Sequence, residues 1–182
     1  MKKSVRIIHI TGASGSGVSS LGAAFSSLYG YKRLDTDDYF WVMEEPLYTI
    51  KRDVNDRIAM LDNDIRSNEK CVISGSLSGW GDVFIPRFDI VVFLYTPSKI
   101  RLERLAKREY EKFGGRIMPG GDMYEAHLEF MEWAGDYDSG GVDMRSLALH
   151  NEWLNDLECP VIRADGTEPS EKIAKDIMDI YA

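Results

Sequence analysis

A chain of 182 residues is long enough for one well-buried core and short for two. With 44% hydrophobic and 29% charged residues it is not a disordered polyelectrolyte. The formal net charge of −8 argues against duplex DNA as a partner, since that calls for a basic footprint.

Met1-Lys2-Lys3 stands before an apolar run that Arg6 and His9 interrupt, which is not the layout of a secretory signal. No stretch approaches a membrane span, so the expected compartment is the cytoplasm, with neither membrane nor nucleic acid as partner. Val5–Ile10 reads as a buried strand, with His9 as a packed core residue. Thr11 to Ser20 then forms a glycine-rich turn, and a small-residue helix runs from Val18 to Leu28 and ends at Gly30. Glycines let backbone N–H groups crowd around an anion, and a helix amino end adds partial positive charge. The spacing Gly12-x-x-x-x-Gly17-x-Ser19 fits the phosphate loop G-x-x-x-x-G-K-[ST] everywhere except at the lysine, where Val18 stands.

Tyr31–Leu34 is a second strand, running into Asp35-Thr36-Asp37-Asp38-Tyr39-Phe40-Trp41. Carboxylates at a strand's carboxyl end serve either as a helix cap in a solvated acidic turn or as a metal-water ligand plus a general base. Pro46–Ile50 is irregular. Asp53–Ser67 is helical on Ile58, Leu61 and Ile65, with Lys51, Arg52 and Arg57 at its start, where basic residues oppose the helix dipole unless an anion is near. Cys71–Ser74 is a third strand, followed by the glycine-dense stretch Gly75 to Asp82, in which Trp80 either stacks on a ligand or caps the core. Ile90–Tyr95 is the central strand, and Pro97 opens a basic helix over Ser98–Lys112. Arg101, Arg104, Lys107 and Arg108 read mostly as a solvated face of that helix.

Gly114 to Gly121, carrying Arg116, has the make-up of a mobile lid over about residues 113–122. Helices follow over Met123–Ala134, with Leu128, Met131 and Trp133 apolar, and over Arg145–Leu157. Cys159–Ala164 is an edge strand, and the last helix repeats Ile173, Ile177 and Ile180. Cys71 and Cys159 sit singly in apolar runs, without metal-ligand spacing, and read as packed thiols. Five strands alternating with helices define an α/β chain with a parallel sheet, organised as one domain over residues 1–182.

The loop at Gly12–Ser19, the acidic turn Asp37-Asp38-Tyr39-Phe40-Trp41 and the Ser74-Gly75-Ser76-Leu77 turn resemble the small P-loop kinases, the adenylate, shikimate, gluconate and cytidylate kinase group. That resemblance implies a single-domain, three-layer fold with a five-stranded parallel sheet in the order 2-3-1-4-5. It implies a Mg-ATP-dependent phosphotransferase acting on a small-molecule acceptor, a nucleoside monophosphate or a hydroxylated metabolite. ATP would lie on Gly12, Ala13, Ser14, Gly15, Ser16, Gly17, Val18, Ser19 and Ser20, with Gly166 and Thr167 near the adenine. Mg²⁺ would be served by Ser19 and, through water, by Asp35. Asp37 would be the base, while Arg108 and Arg116 would neutralise the phosphoryl group in transfer. Asp38, Arg52, Arg57, Gly75, Trp80 and Arg145 are the candidate acceptor contacts.

Valine at position 18 removes a charge-assisted contact worth on the order of 2–4 kcal/mol at the transition state. Arg108, Arg116, Arg145 or the Lys2-Lys3 pair are the candidate replacements. A second reading is therefore a nucleotide-binding regulator with little phosphotransfer. A third is a nicotinamide-dinucleotide oxidoreductase, from Thr11-Gly12-x-x-Gly15-x-Gly17 and Tyr95-x-x-x-Lys99. Pro97 breaks that Tyr/Lys pair, and the glycine spacing is off by one.

Overall fold

A computed structural model describes residues 4–44 and 48–181. Lys2, Lys3 and the Pro46-Leu47 part of the irregular stretch lie outside them. The chain alternates β1 (Ile7–Gly12), α1 (Val18–Tyr29), β2 (Lys32–Asp35), α2 (Thr36–Phe40), α3 (Val54–Arg66) and β3 (Cys71–Ser74). There follow β4 (Ile90–Tyr95), α4 (Ser98–Phe113), α5 (Tyr124–Gly135), α6 (Leu147–Asn155), β5 (Val161–Asp165) and α7 (Ser170–Tyr181). The strands form one parallel sheet in the order β2-β3-β1-β4-β5, as the resemblance implies. Register places Ile8 opposite Val72 of β3 and Ile90 of β4.

Two compact units make up the chain, one of Met1–Gly12, Gly17–Leu94 and Leu157–Ala182, the other of Ala13–Ser16 and Tyr95–Asp156. The first holds the sheet. Strand alternation sends Ile8, Ile10, Val72, Ile90, Val92 and Leu94 to one core, with Leu21, Ala24 and Phe25 of α1 and Ile173, Ala174 and Ile177 of α7. On the opposite side of β1, His9 is fully buried and stacked on Phe88, with Nδ1 against the Ile73 carbonyl; burial lowers its pKa to about 4. His9 is thus the neutral core residue its setting predicts. Gly30 ends α1 in the left-handed region and returns its N–H to the carbonyls of Phe25 and Ser26.

The second unit is built on α4, α5 and α6. Here Arg101 departs from the expected solvated face. It is 1% exposed and donates from Nε to Thr96 O, from Nη1 to Ala134 O and from Nη2 to Asp138. The reason is its position one turn before Leu105, on the buried stripe of α4. On α5 the expected apolar side stays open: Leu128 is 44% exposed, and Trp133 stacks on Phe130. Only Ala134 of α5 is buried, where the helix meets Arg101. Ile180, in the last turn of α7, is likewise exposed. Helix α6 begins at Leu147, two residues later than its pattern suggests, because the Ser146 hydroxyl accepts the Leu149 N–H and caps it.

Candidate functional site

The chain leaves β1 at Gly12 and enters α1 at Val18. Gly15 has φ +79°, and a Cβ there would lie 2.6 Å from the Arg101 carbonyl oxygen, so a side chain is excluded both by conformation and by space. Ser16 N donates to Ala13 O, closing the turn. The Ser16 hydroxyl is fully buried and, among the described residues, has no hydrogen-bond partner. Thr96 Oγ1 donates to Ser16 O, and Arg104 Nη1 reaches Gly15 O at 3.4 Å.

Gly17 caps α1 with no side-chain hydrogen bond, and the helix has no acidic residue in its first turn. Helices α2, α3 and α6 are each closed by a side chain, from Asp35, Asp53 and Ser146, whereas α4 and α5 share the open end of α1 without its glycine turn. The amino end of α1 therefore keeps the N–H groups and partial charge that suit an external anion. Val18, in the lysine position, is buried in the core beside Leu21 and Phe25.

Asp35 closes β2 and caps α2 at once. Its Oδ1 accepts the Asp37 N–H at 3.2 Å, while Oδ2 accepts the Ser19 hydroxyl at 3.2 Å and Arg33 Nη2 at 3.0 Å. The acidic turn is thus a cap, as one of its two sequence readings holds, and the cap residue is also joined to Ser19. A hydroxyl and a carboxylate oxygen side by side are hard donors that fit Mg²⁺, which takes few protein ligands beside water and phosphate oxygens. Among the described residues no group of three or more His, Cys, Asp or Glu could form an all-protein metal cage. Asp37 is exposed on α2. Asp38 is exposed beside it; partial desolvation and then the Asp35 charge hold its carboxyl above the ordinary range, with Arg33 opposing. Gly75 has φ +123°, and a Cβ there would collide with Thr36 Oγ1, so glycine is what lets β3 turn beside α2.

Three expected acceptor contacts have protein partners here. Arg52 donates to Tyr39 O and Trp41 O, fastening the chain that leaves α2, where Trp41 also bridges to Lys51. Trp80 is buried, with Nε1 on Ser76 O, and caps the core. Arg57 is buried at the start of α3, with Nε on Arg52 O and its guanidinium 3.9 Å from the Phe40 ring centroid and 5.9 Å from that of Trp80. Burial presses its pKa down, while Asp53 opposes.

In the second unit Arg108 is exposed on α4. Arg116 makes a two-pronged pair with Asp122, Nε and Nη2 both donating, and this holds the Asp122 carboxyl below its usual range. Arg145 is half-buried, just ahead of the Ser146 cap. Gly166 and Thr167 lie in a turn after β5, where Thr167 N and Oγ1 both donate to Asp165 Oδ1. Arg33 and Arg101 are the residues the sequence reading missed. Arg101 carried one signal, its i, i+4 relation to Leu105; Arg33 carried another, its strand alternation with Asp35.

Among the described residues no helix is long and apolar enough to cross a membrane. A family profile described as "AAA domain" matches residues 8–127. The chain is 46% identical over 165 residues to the uncharacterised protein YqaC of Bacillus subtilis (strain 168), covering 91% of this chain and 89% of that one. In architecture it is similar to deoxyadenosine kinase from M. mycoides with bound dATP, at TM-score 0.58, 15% identity and coverage of 96% and 98%. It is also similar to shikimate kinase from Acinetobacter baumannii in complex with shikimate, at TM-score 0.55, 18% identity and coverage of 97% and 93%. The glycine turn between β1 and α1, the sheet order and the extent of the profile match agree, and the chain belongs to the AAA domain family with the fold of the P-loop kinases.

Proposed function

We propose that this protein is a Mg-ATP-dependent phosphotransferase that moves the γ-phosphoryl group to a small molecule. The observation that carries the reading is the amino end of α1, which follows a glycine turn and has neither a capping side chain nor an acid in its first turn. The amides of Gly12 to Ser20 would receive the phosphates, and the turn at Gly166-Thr167 would lie at the base. Ser19 and Asp35 would hold Mg²⁺, which when bound supplies charge neutralisation between the phosphates. Asp37 accepts the proton of the attacking hydroxyl, with Asp38 the competing base because partial desolvation and the Asp35 charge raise its carboxyl. Arg108 and Arg116 meet the transferring group, the latter after leaving Asp122. The residue 113–122 segment acts as the lid.

For the acceptor, the guanidinium of Arg57 is the informative group. It is a buried cation facing aromatic rings, and such a group favours an acceptor that brings an anionic substituent, a phosphate or a carboxylate. Of the solved structures with this fold, the shikimate kinase holds shikimate, a hydroxylated acid that brings such a substituent, and a nucleoside monophosphate would bring one as its phosphate. Valine in the core position favours a second reading, a nucleotide-binding regulator without turnover.

Calorimetric titration with ATP and ADP, followed by turnover across nucleoside monophosphates and hydroxylated acids, decides between the two. Binding with product from an acceptor supports the kinase. Binding without product from either class supports the regulator, and absence of binding overturns both.

A further inference from the structure

The loop lacks its lysine, and Val18 is buried in the core, so any compensating charge on this side must come from another element. In the first unit β2 provides one. Arg33 and Asp35 alternate onto the same side of that strand, and Arg33 Nη2 lies 3.0 Å from Asp35 Oδ2. The same oxygen accepts the Ser19 hydroxyl at 3.2 Å, while Oδ1 is taken by the Asp37 N–H. Both carboxylate oxygens are therefore engaged, and a guanidinium already sits on the oxygen that Ser19 shares. Position 22, one turn after Ser19, is glycine because a Cβ there would collide with Ser74 Oγ; Arg33 Cγ would stand at an ordinary contact distance of 3.9 Å.

We propose that Arg33, through its shared pairing with Asp35 and Ser19, is a phosphate-side cation that takes over part of the role of the missing loop lysine and lowers the dependence of nucleotide binding on Mg²⁺. The inference rests on the nucleotide-site reading above. It has two consequences of opposite sign. A fixed positive charge at this oxygen attracts a polyphosphate when no metal is present. The same charge opposes a divalent cation that approaches Ser19 and Asp35, because both compete for one carboxylate oxygen. The Arg33 side chain is 42% exposed and Asp35 offsets part of its charge, so the effect is a few-fold change and not the whole contribution of a loop lysine.

The test is calorimetric titration of the full chain with ADP and with ATP, in EDTA and in saturating Mg²⁺, for the wild type, Arg33→Gln and Arg33→Lys. Arg33→Gln is expected to weaken metal-free affinity about three- to tenfold and to enlarge the gain on adding Mg²⁺ by a similar factor. Arg33→Lys, which keeps the charge, should stay close to the wild type in both conditions. Both effects in these directions support the assignment. Metal-free affinity unchanged in Arg33→Gln, or an unchanged Mg²⁺ gain, overturns it while leaving the nucleotide site intact. No binding of either nucleotide by the wild type overturns the nucleotide-site reading itself and this assignment with it.

Discussion

Replacing Arg101 with methionine tests how the crest of the phosphate loop is held. Arg101 is 1% exposed and serves three acceptors, Thr96 O, Ala134 O and Asp138 Oδ2, with its guanidinium 5.0 Å from the Tyr137 ring centroid. Methionine fills much of the volume but leaves both carbonyls and the carboxylate without this donor. A buried acceptor deprived of its partner costs roughly 1–3 kcal/mol, and breaking a buried ion pair from one side costs about 3–5 kcal/mol. Asp138 keeps 29% of its side chain exposed, so water recovers part of its share and the loss should be about 3 kcal/mol. For a chain of this size that is a fall of roughly 6–12 °C in melting temperature. Asp138→Asn, which retains an acceptor, should lose about 1 kcal/mol. Arg101 also touches function through neighbours in its own unit. Its Nε holds Thr96 O, Thr96 Oγ1 holds Ser16 O, and its carbonyl abuts Gly15. Urea unfolding combined with ADP titration at a temperature where the variant is folded reads both effects. An Arg101→Met protein within about 1 kcal/mol of the wild type, with unaltered ADP affinity, would refute the network as a structural support for the loop.

Gly15→Ala should weaken ADP binding by about tenfold or more, since the new Cβ meets a backbone oxygen and the φ of +79° is costly for alanine; wild-type affinity in calorimetry would contradict this. His9 titrates near 4 in the folded chain against an ordinary 6.5 once unfolded, so the unfolded chain binds the extra proton first as pH falls. Its contribution is complete above pH 6.5 and is lost as pH drops through about 4, amounting to roughly 3 kcal/mol. His9→Gln should flatten the stability profile across that window in urea melts. Asp37→Asn should lower kcat by about 10²–10⁴ if Asp37 is the base. The raised carboxyl of Asp38 should set the acid limb of kcat/KM above the ordinary aspartate range, and Asp38→Asn should remove that limb. If Asp38→Asn instead abolishes turnover and Asp37→Asn spares it, the two roles exchange.

What could be read from the chain and what could not divide along one physical line. Backbone-dominated features follow from local chemistry. The apolar runs at Val5–Ile10, Cys71–Ser74 and Ile90–Tyr95 became parallel strands, the first of them displaced to Ile7–Gly12, and Gly30 took the left-handed C-cap its position requires. Long charged side chains are different, because their partners are chosen by the tertiary fold. Arg52 and Arg57 sit at the helix start as expected, yet Arg52 turns to the carbonyls of Tyr39 and Trp41 and Arg57 lies on Phe40. Arg101 has the same residue type as Arg104 and Arg108 but lies on the face that Leu105 marks as buried, and only its three acceptors make that burial tolerable.

Arg33 carries the same lesson into the site. Alternation along Lys32-Arg33-Leu34-Asp35 puts Arg33 on the side of Asp35, but the shared carboxylate exists only once α1 brings Ser19 to it. A loop motif read by its fixed letters records the loss of a lysine. Charge near a phosphate, however, is a property of a place, and a neighbouring strand can supply it. If Arg33 fills that place, the absence of one letter weakens the motif more than it weakens the site, and the metal-free ADP affinity of Arg33→Gln is where that difference is read.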